Sequence, residues 1–228
     1  MASLQQLEYD ATVFLPTGPS DLDISGNGFG WRAGVAYEME EIALRISAIY
    51  NAPVEYDLDG DAFGGTIFTG DATANVTTPQ SFELRGQTGI APGWLALASV
   101  KWVDWSIVDR LEVDIDGPIP QIGTDLEYRD GWTVTGGVGH QLTEEFTVLG
   151  SLTWDRGTSQ VRDDGVLAAG TQTDRWGVSL GGAYTLSEAA ELSGGVSYSI
   201  TEDGTNARGE SWDQGSVFAI SASLKASF

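Results

Sequence analysis

The sequence has 228 residues with 33 acidic and 11 basic side chains, a net charge of −22, and no cysteine. That balance excludes nucleic acid as a partner, because phosphate binding needs clustered Lys and Arg, and the lack of cysteine excludes a disulfide framework and thiolate metal sites. No run of about 18 apolar residues occurs, so a transmembrane helix is excluded, whereas a membrane strand, apolar only at alternate positions, passes that test.

Ten short stretches alternate apolar and polar side chains, the period of a β-strand with two different faces. In chain order the apolar sides are Leu7–Val13, Trp31–Tyr37, Ile42–Tyr50, Phe82–Ile90 and Trp94–Trp105, then Trp132–Val138, Phe146–Trp154, Trp176–Leu186, Leu192–Ile200 and Ile220–Phe228. The fifth is the least regular, because Leu95 and Leu97 fall out of phase with Trp94, Ala96, Ala98, Val100 and Trp102. Phe228 gives the chain the aromatic carboxy terminus of an outer-membrane barrel and is read as a membrane-insertion signal.

The connections alternate in length. Glu38–Glu41, Ala91–Gly93, Leu142–Glu145 and Ser187–Ala190 are tight turns, while segments 15–28, 52–77, 106–130, 155–175 and 201–215 are long and hold 22 of the 33 acids. These acidic segments read as solvated loops, with bridging of divalent cations to anionic headgroups as the sharper alternative. The expectation is all-β: a single domain over residues 1–228, an antiparallel up-and-down transmembrane barrel of about ten strands. Its short turns would be periplasmic, its long loops extracellular and both termini on the periplasmic side. A soluble sandwich or lipocalin-like barrel shares the alternation, but strands near ten residues and aromatic strand ends favour the membrane.

The aromatic residues expected at the interfaces are Trp31, Tyr37, Tyr50, Trp132, Trp154, Trp176, Tyr184 and Tyr198. Arg32, Glu38, Arg45, Glu83, Arg85 and Lys101 are the candidates for the lumen, where opposite charges would pair across a narrow bore. His140, the single histidine, reads as a girdle or turn residue rather than a general base, and no catalytic constellation forms, so no enzyme is expected. Asp57-Leu58-Asp59-Gly60-Asp61 has the start of a calcium loop but Ala62 at the sixth position and no Glu at the twelfth; no metal and no cofactor are expected. Trp102 and Trp105, three apart, are read as facing opposite sides of one strand.

Thr78-Pro79-Gln80-Ser81-Phe82, Gly89-Ile90-Ala91-Pro92 and Trp102-Val103-Asp104-Trp105-Ser106 resemble the outer-membrane long-chain fatty acid transporter family (FadL-like). Asp130-Gly131-Trp132 leading to Gly137-Val138-Gly139, and Asp174-Arg175-Trp176 leading to Gly181-Gly182-Ala183-Tyr184, are similar to its later strands in the same order. The resemblance implies passive uptake of long-chain fatty acids or other hydrophobic compounds across the bacterial outer membrane. It also implies a fourteen-stranded barrel with an amino-terminal hatch and a lateral opening, of which the hatch and the early strands have no counterpart here. The chain is therefore expected to be a fragment, or a shortened barrel whose tenth strand pairs with its first. No signal peptide is read at Met1-Ala2-Ser3. Implied partners are outer-membrane lipid or detergent, hydrophobic small molecules and the barrel-assembly machinery; a small structural or engineered pore without selective transport is the alternative.

Overall fold

The computed structural model describes residues 1–15, 18–64, 68–108, 110–116, 121–163, 165–168, 170–187 and 189–226; Phe228 lies outside the described residues. The strands are β1 (Ala2–Leu15), β2 (Gly18–Met39), β3 (Leu44–Asn51), β4 (Val54–Gly64), β5 (Phe68–Thr78), β6 (Ser81–Ala91), β7 (Trp94–Val103) and β8 (Arg110–Ile115). They continue with β9 (Gln121–Asp125), β10 (Gly131–Gln141), β11 (Phe146–Asp155), β12 (Arg175–Ser187), β13 (Ala190–Thr201), β14 (Gly204–Thr205), β15 (Ser211–Trp212) and β16 (Gly215–Ala226). Fourteen of them form one antiparallel sheet, and β14 and β15 form a separate ribbon.

The sheet has two parts that share β2. Its lower part runs β2-β3-β6-β7-β10-β11-β12-β13-β16. Neighbours here are joined at one end by the short connections the sequence predicts, including the Pro92-Gly93 turn, where Gly93 takes φ +74°, a left-handed conformation that favours glycine. Nine of the ten sequence stretches are found here. The first is not: β1 pairs with Gly18–Trp31 of β2 only, Ala2 lying opposite Trp31, so it stops at the rim and does not span. The amino terminus consequently sits at the end with the long connections, not at the short-turn end expected from ten strands.

The second correction concerns the acidic segments. Much of 18–28, 54–78 and 110–125 is strand: upper β2 pairs with β1 and β4, β4 with β5, β5 with β8 and β8 with β9. This outer extension holds the largest buried apolar cluster among the described residues, with Leu22, Ile24, Val54, Tyr56, Leu58, Ala62, Ala72, Ala74, Val113 and Ile115. Acids alternate with them, so Asp21, Asp23, Asp57, Asp59, Asp61, Asp71 and Asp114 are exposed. The Asp57–Asp61 stretch is strand with Leu58 only 2% exposed, not a calcium loop. At Gly60 an added Cβ would lie 2.0 Å from the Asp23 carbonyl oxygen, so the close approach of β2 and β4 requires glycine there.

The two parts use opposite residues of β3 and β4 for the same face. Arg32 pairs with Asn51 and Ser25 with Asp59, a shift of one residue across Ala52-Pro53. Because side chains alternate, a one-residue slip exchanges the faces. It lets Val54, Tyr56 and Leu58 turn to the side where Ile49 and Asn51 point, and Tyr56 reaches across β2 to donate its hydroxyl to Gln5 Oε1 at 2.8 Å.

The lower sheet is not closed. Among the described residues β16 pairs only with β13, and the Ala33–Met39 stretch of β2 pairs only with β3. Nine antiparallel strands leave the first and last, β2 and β16, running in the same direction. Closure of β16 directly on the first strand is therefore absent, and it would require a parallel joint.

Candidate functional site

One face of the lower sheet is apolar from edge to edge. Its cross-strand rows include Gly136, Leu152, Val178, Tyr198 and Phe218, and below them Val138, Gly150, Leu180, Val196 and Ile220. Leu180 and Ile220 are 61% and 77% exposed, so these side chains are covered by nothing in the protein. In water such a face would be a large unburied patch; against hydrocarbon it is the matching surface.

Aromatic side chains bound this face. Trp31, Tyr50, Trp132, Trp154 and Trp176 stand at the end with the long connections, and Tyr37 and Tyr184 near the short-turn end. Tyr198 lies one row inside, opposite Val178 and Phe218. Trp31 packs on Tyr50 with ring centroids 5.3 Å apart, and Trp154 on Trp176 at 6.4 Å. His140 stacks on Trp94 at 4.1 Å, with Nδ1 3.0 Å from the Gly93 carbonyl oxygen. Trp105 is not on a strand: it starts a 3-10 turn, Trp105–Ile107, and meets Tyr128 edge-on.

A repeated lock fixes the outer ring. The Tyr50 hydroxyl donates to Gln80 Oε1 at 2.7 Å, the Trp102 indole to Asp130 Oδ2 at 2.9 Å, and the Trp154 indole to Asp174 Oδ2 at 3.2 Å. In each case the acceptor lies two residues before an aromatic, Phe82, Trp132 or Trp176, that is the cross-strand partner of the donor. Sequence reasoning left Phe82 and Trp102 out of the girdle. The polar-x-aromatic spacing that opens β6, β10 and β12 is the signal that would have found them.

The opposite face lines two cavities. The upper one, about 830 Å³, is walled by Arg32, Arg45, Glu83 and Arg85, with Ser47 and Ser99 between them. Arg85 holds Glu83 through Nε at 2.6 Å and Nη2 at 3.0 Å, and Arg45 holds its cross-strand neighbour Glu38 at 3.1 Å. Lys101 lies opposite Glu83 and Thr133 on this face. Arg32 and Lys101 have no ion pair among the described residues. All six sequence candidates thus share one face, but the pairs form along a strand or between neighbours, not across a bore.

The lower cavity, about 1040 Å³, is lined by Leu95, Leu97, Leu149 and Ile90 facing a wall that includes Gly181, Gly195 and Ser221. Leu97 borders both cavities. This accounts for the two leucines out of phase: they are apolar on the inner face, while their alternating neighbours face outward. Gly137 makes room for them, since a Cβ there would come within 3.2 Å of Leu97 Cδ1 and 2.7 Å of the Gly150 carbonyl oxygen.

Known proteins share this fold. The family signature described as outer membrane protein transport protein (OMPP1/FadL/TodX) matches residues 17–227. A long-chain fatty acid transport protein of Escherichia coli O6:H1 is 25% identical over 189 residues, which is 75% of this chain and 42% of that protein. Outer membrane protein P1 of Haemophilus influenzae Rd is 27% identical over 179 residues, 75% of this chain and 38% of its own length. The chain therefore spans less than half of these curated relatives. Among solved structures, a Pseudomonas aeruginosa FadL homologue superposes with a TM-score of 0.67 at 17% identity, over 99% of this chain and 62% of that one. The Pseudomonas putida toluene transporter TodX gives 0.61 at 16%, over 100% and 65%. At these identities the structural likeness speaks for the fold.

Proposed function

Since the chain belongs to the outer membrane protein transport family (OMPP1/FadL/TodX), and with it to the bacterial outer membrane, we propose that its concave face is part of a conduit for passive movement of hydrophobic compounds. The observation that carries this reading is the apolar cavity at Leu95, Leu97 and Leu149, which shares Leu97 as a wall with a cavity where Arg32 has no ion pair among the described residues. An apolar tail suits the first and a carboxylate the second, so long-chain fatty acids are the substrate class we favour over neutral hydrocarbons. The residues on the path hold and guide; no group is placed for bond making or breaking.

Binding of a fluorescent C18 fatty acid to the folded chain in detergent tests this. Gly137→Leu, which drives a side chain into Leu97, is expected to reduce binding about tenfold or more, as overpacking of a close contact does. Unchanged binding would remove the lower cavity from the path. The second reading, an unselective pore, draws support from the charged, water-accessible upper cavity; a steady conductance in a planar bilayer that fatty acid does not alter would favour it.

We also infer that the functional sheet is completed by polypeptide beyond these 228 residues. In hydrocarbon each unpaired backbone group costs several kcal/mol, and β16 offers 12 residues of free edge. Because β2 and β16 run the same way, an odd number of added strands restores antiparallel pairing on both sides. The β1 ladder points at the β2 edge, ending where the Met1 amino group donates to the Arg32 carbonyl oxygen at 2.9 Å. A heat-modifiable gel band from the 228 residues alone would mean self-closure and would overturn this.

A further inference from the structure

A different cavity lies at the outer mouth, on the arc formed by β11–β13, away from the lumen charges. It measures about 590 Å³ and is walled by Arg156, Arg175, Thr171, Thr173, Trp212 and Asp155. Asp155 is already engaged, accepting from the Thr133 hydroxyl at 2.8 Å and facing Arg175 at 3.6 Å. The nearby Arg129 donates Nε to the Gly157 carbonyl oxygen at 2.8 Å and faces Asp174 at 3.5 Å. Arg156 has no ion pair and no side-chain hydrogen bond among the described residues, although its backbone N–H is held by the Trp132 carbonyl at 2.8 Å.

A guanidinium without a protein partner, beside a second arginine, keeps its donors available to an anion that enters the cavity. Burial, then the charge of Arg156, push the Arg129 pKa below its ordinary value, against the pull of Asp174. Arg129 and Arg175 each face a carboxylate, Asp174 and Asp155, which leaves Arg156 as the cation of this group without one among the described residues.

We propose that this cavity captures the carboxylate head of an amphiphile at the outer mouth, with Arg156 as the binding cation and Trp212 as the wall against which the first methylenes lie. Arg175 supplies a second donor, and the Thr171 hydroxyl a neutral one. The site precedes the lumen and takes its ligand class from the function proposed above, on which it rests.

The test compares a fluorescent C18 fatty acid with its methyl ester on the folded chain in detergent. Arg156→Gln is expected to weaken the acid about tenfold, the loss of one charged hydrogen-bond partner, and to leave the ester unchanged. Arg156→Lys, which keeps the charge, should recover part of the loss. Equal weakening of acid and ester would mark Arg156 as structural, and no weakening of either would remove it from binding; both overturn the site. Loss on Arg32→Gln but not on Arg156→Gln would assign the head group to the lumen, sinking this site while the conduit stands. Binding of neither ligand by the unsubstituted chain would sink the conduit itself. Displacement of the acid by millimolar inorganic phosphate with the ester undisturbed would reassign the cavity to phosphate and overturn the carboxylate.

Discussion

One strand, β2, is built in two opposite ways. Below Trp31 its odd residues, Ala33, Val35 and Tyr37, are apolar and exposed, and its even residues include Arg32 and Glu38 on the concave side. Above Trp31 the even residues Leu22 and Ile24 are buried on that concave side, and the odd residues Asp21 and Asp23 face outward. Alternation is the same in both halves, while the solvent on the convex side is different. Lipid demands apolar side chains outside and tolerates polar ones within; water demands the reverse. The lesson is that period two identifies a strand with unlike faces and does not say which face is wet.

Reversing one half at a time breaks the comparison. Ile24→Asp places an unpaired carboxylate at a position 1% exposed and is expected to cost at least about 4 kcal/mol. The loss should be confined to the extension: amide exchange would accelerate in β4 and β5 while lower β10–β12 stays protected. Loss of protection throughout would mean the two halves fold as one. Leu180→Arg, the converse change at mid-height on the convex face, should cost about 2–4 kcal/mol, read as a lower urea midpoint in detergent with the extension unaffected.

Smaller effects sharpen the boundary between the halves. Trp102→Phe removes the donor to Asp130, whose other oxygen, Oδ1, is buried without a partner. The expected loss is about 1–3 kcal/mol, and Trp102→Phe combined with Asp130→Leu should recover part of it. Smallest is a gain. The exposed row Asp10, Asp23, Asp61 and Asp71 places like charges on successive cross-strand partners, so Asp61→Asn should stabilise the extension by about 0.2–1 kcal/mol. That gain should shrink as salt is added, because exposed charges are screened; a gain independent of salt would point to packing instead.

Strand positions in the lower sheet were legible because each is a run of alternating residues and all but β16 end at a short turn. Closure was not: it depends on the direction of the first and last strands, and the sequence did not reveal that Leu7–Val13 stops at the rim. The acidic segments ahead of Leu126 were misread for a physical reason, whereas 155–175 and 201–215 are largely loop as expected. Asp and Gly are depleted in ordinary strands, and Asp57-Leu58-Asp59-Gly60-Asp61 has a loop composition; only the burial of Leu58 and the tight fit at Gly60 make it a strand. At the candidate site type and phase put the six charged residues on one face, which is where the paired strands have them. The leucines at 95 and 97 were visible as an irregularity, yet only the cavity they line gives that irregularity a meaning.

The length of β2 has a mechanical consequence. Twenty-two residues at about 3.3 Å each make a continuous rod of roughly 70 Å, more than twice the roughly 30 Å thickness of a hydrocarbon layer. Hydrogen-bonded into both halves, it carries one unbroken backbone from the acidic extension past Trp31 to the face that bears Arg32 and Glu38, so a displacement of the extension reaches that face through a paired strand and not through a loop.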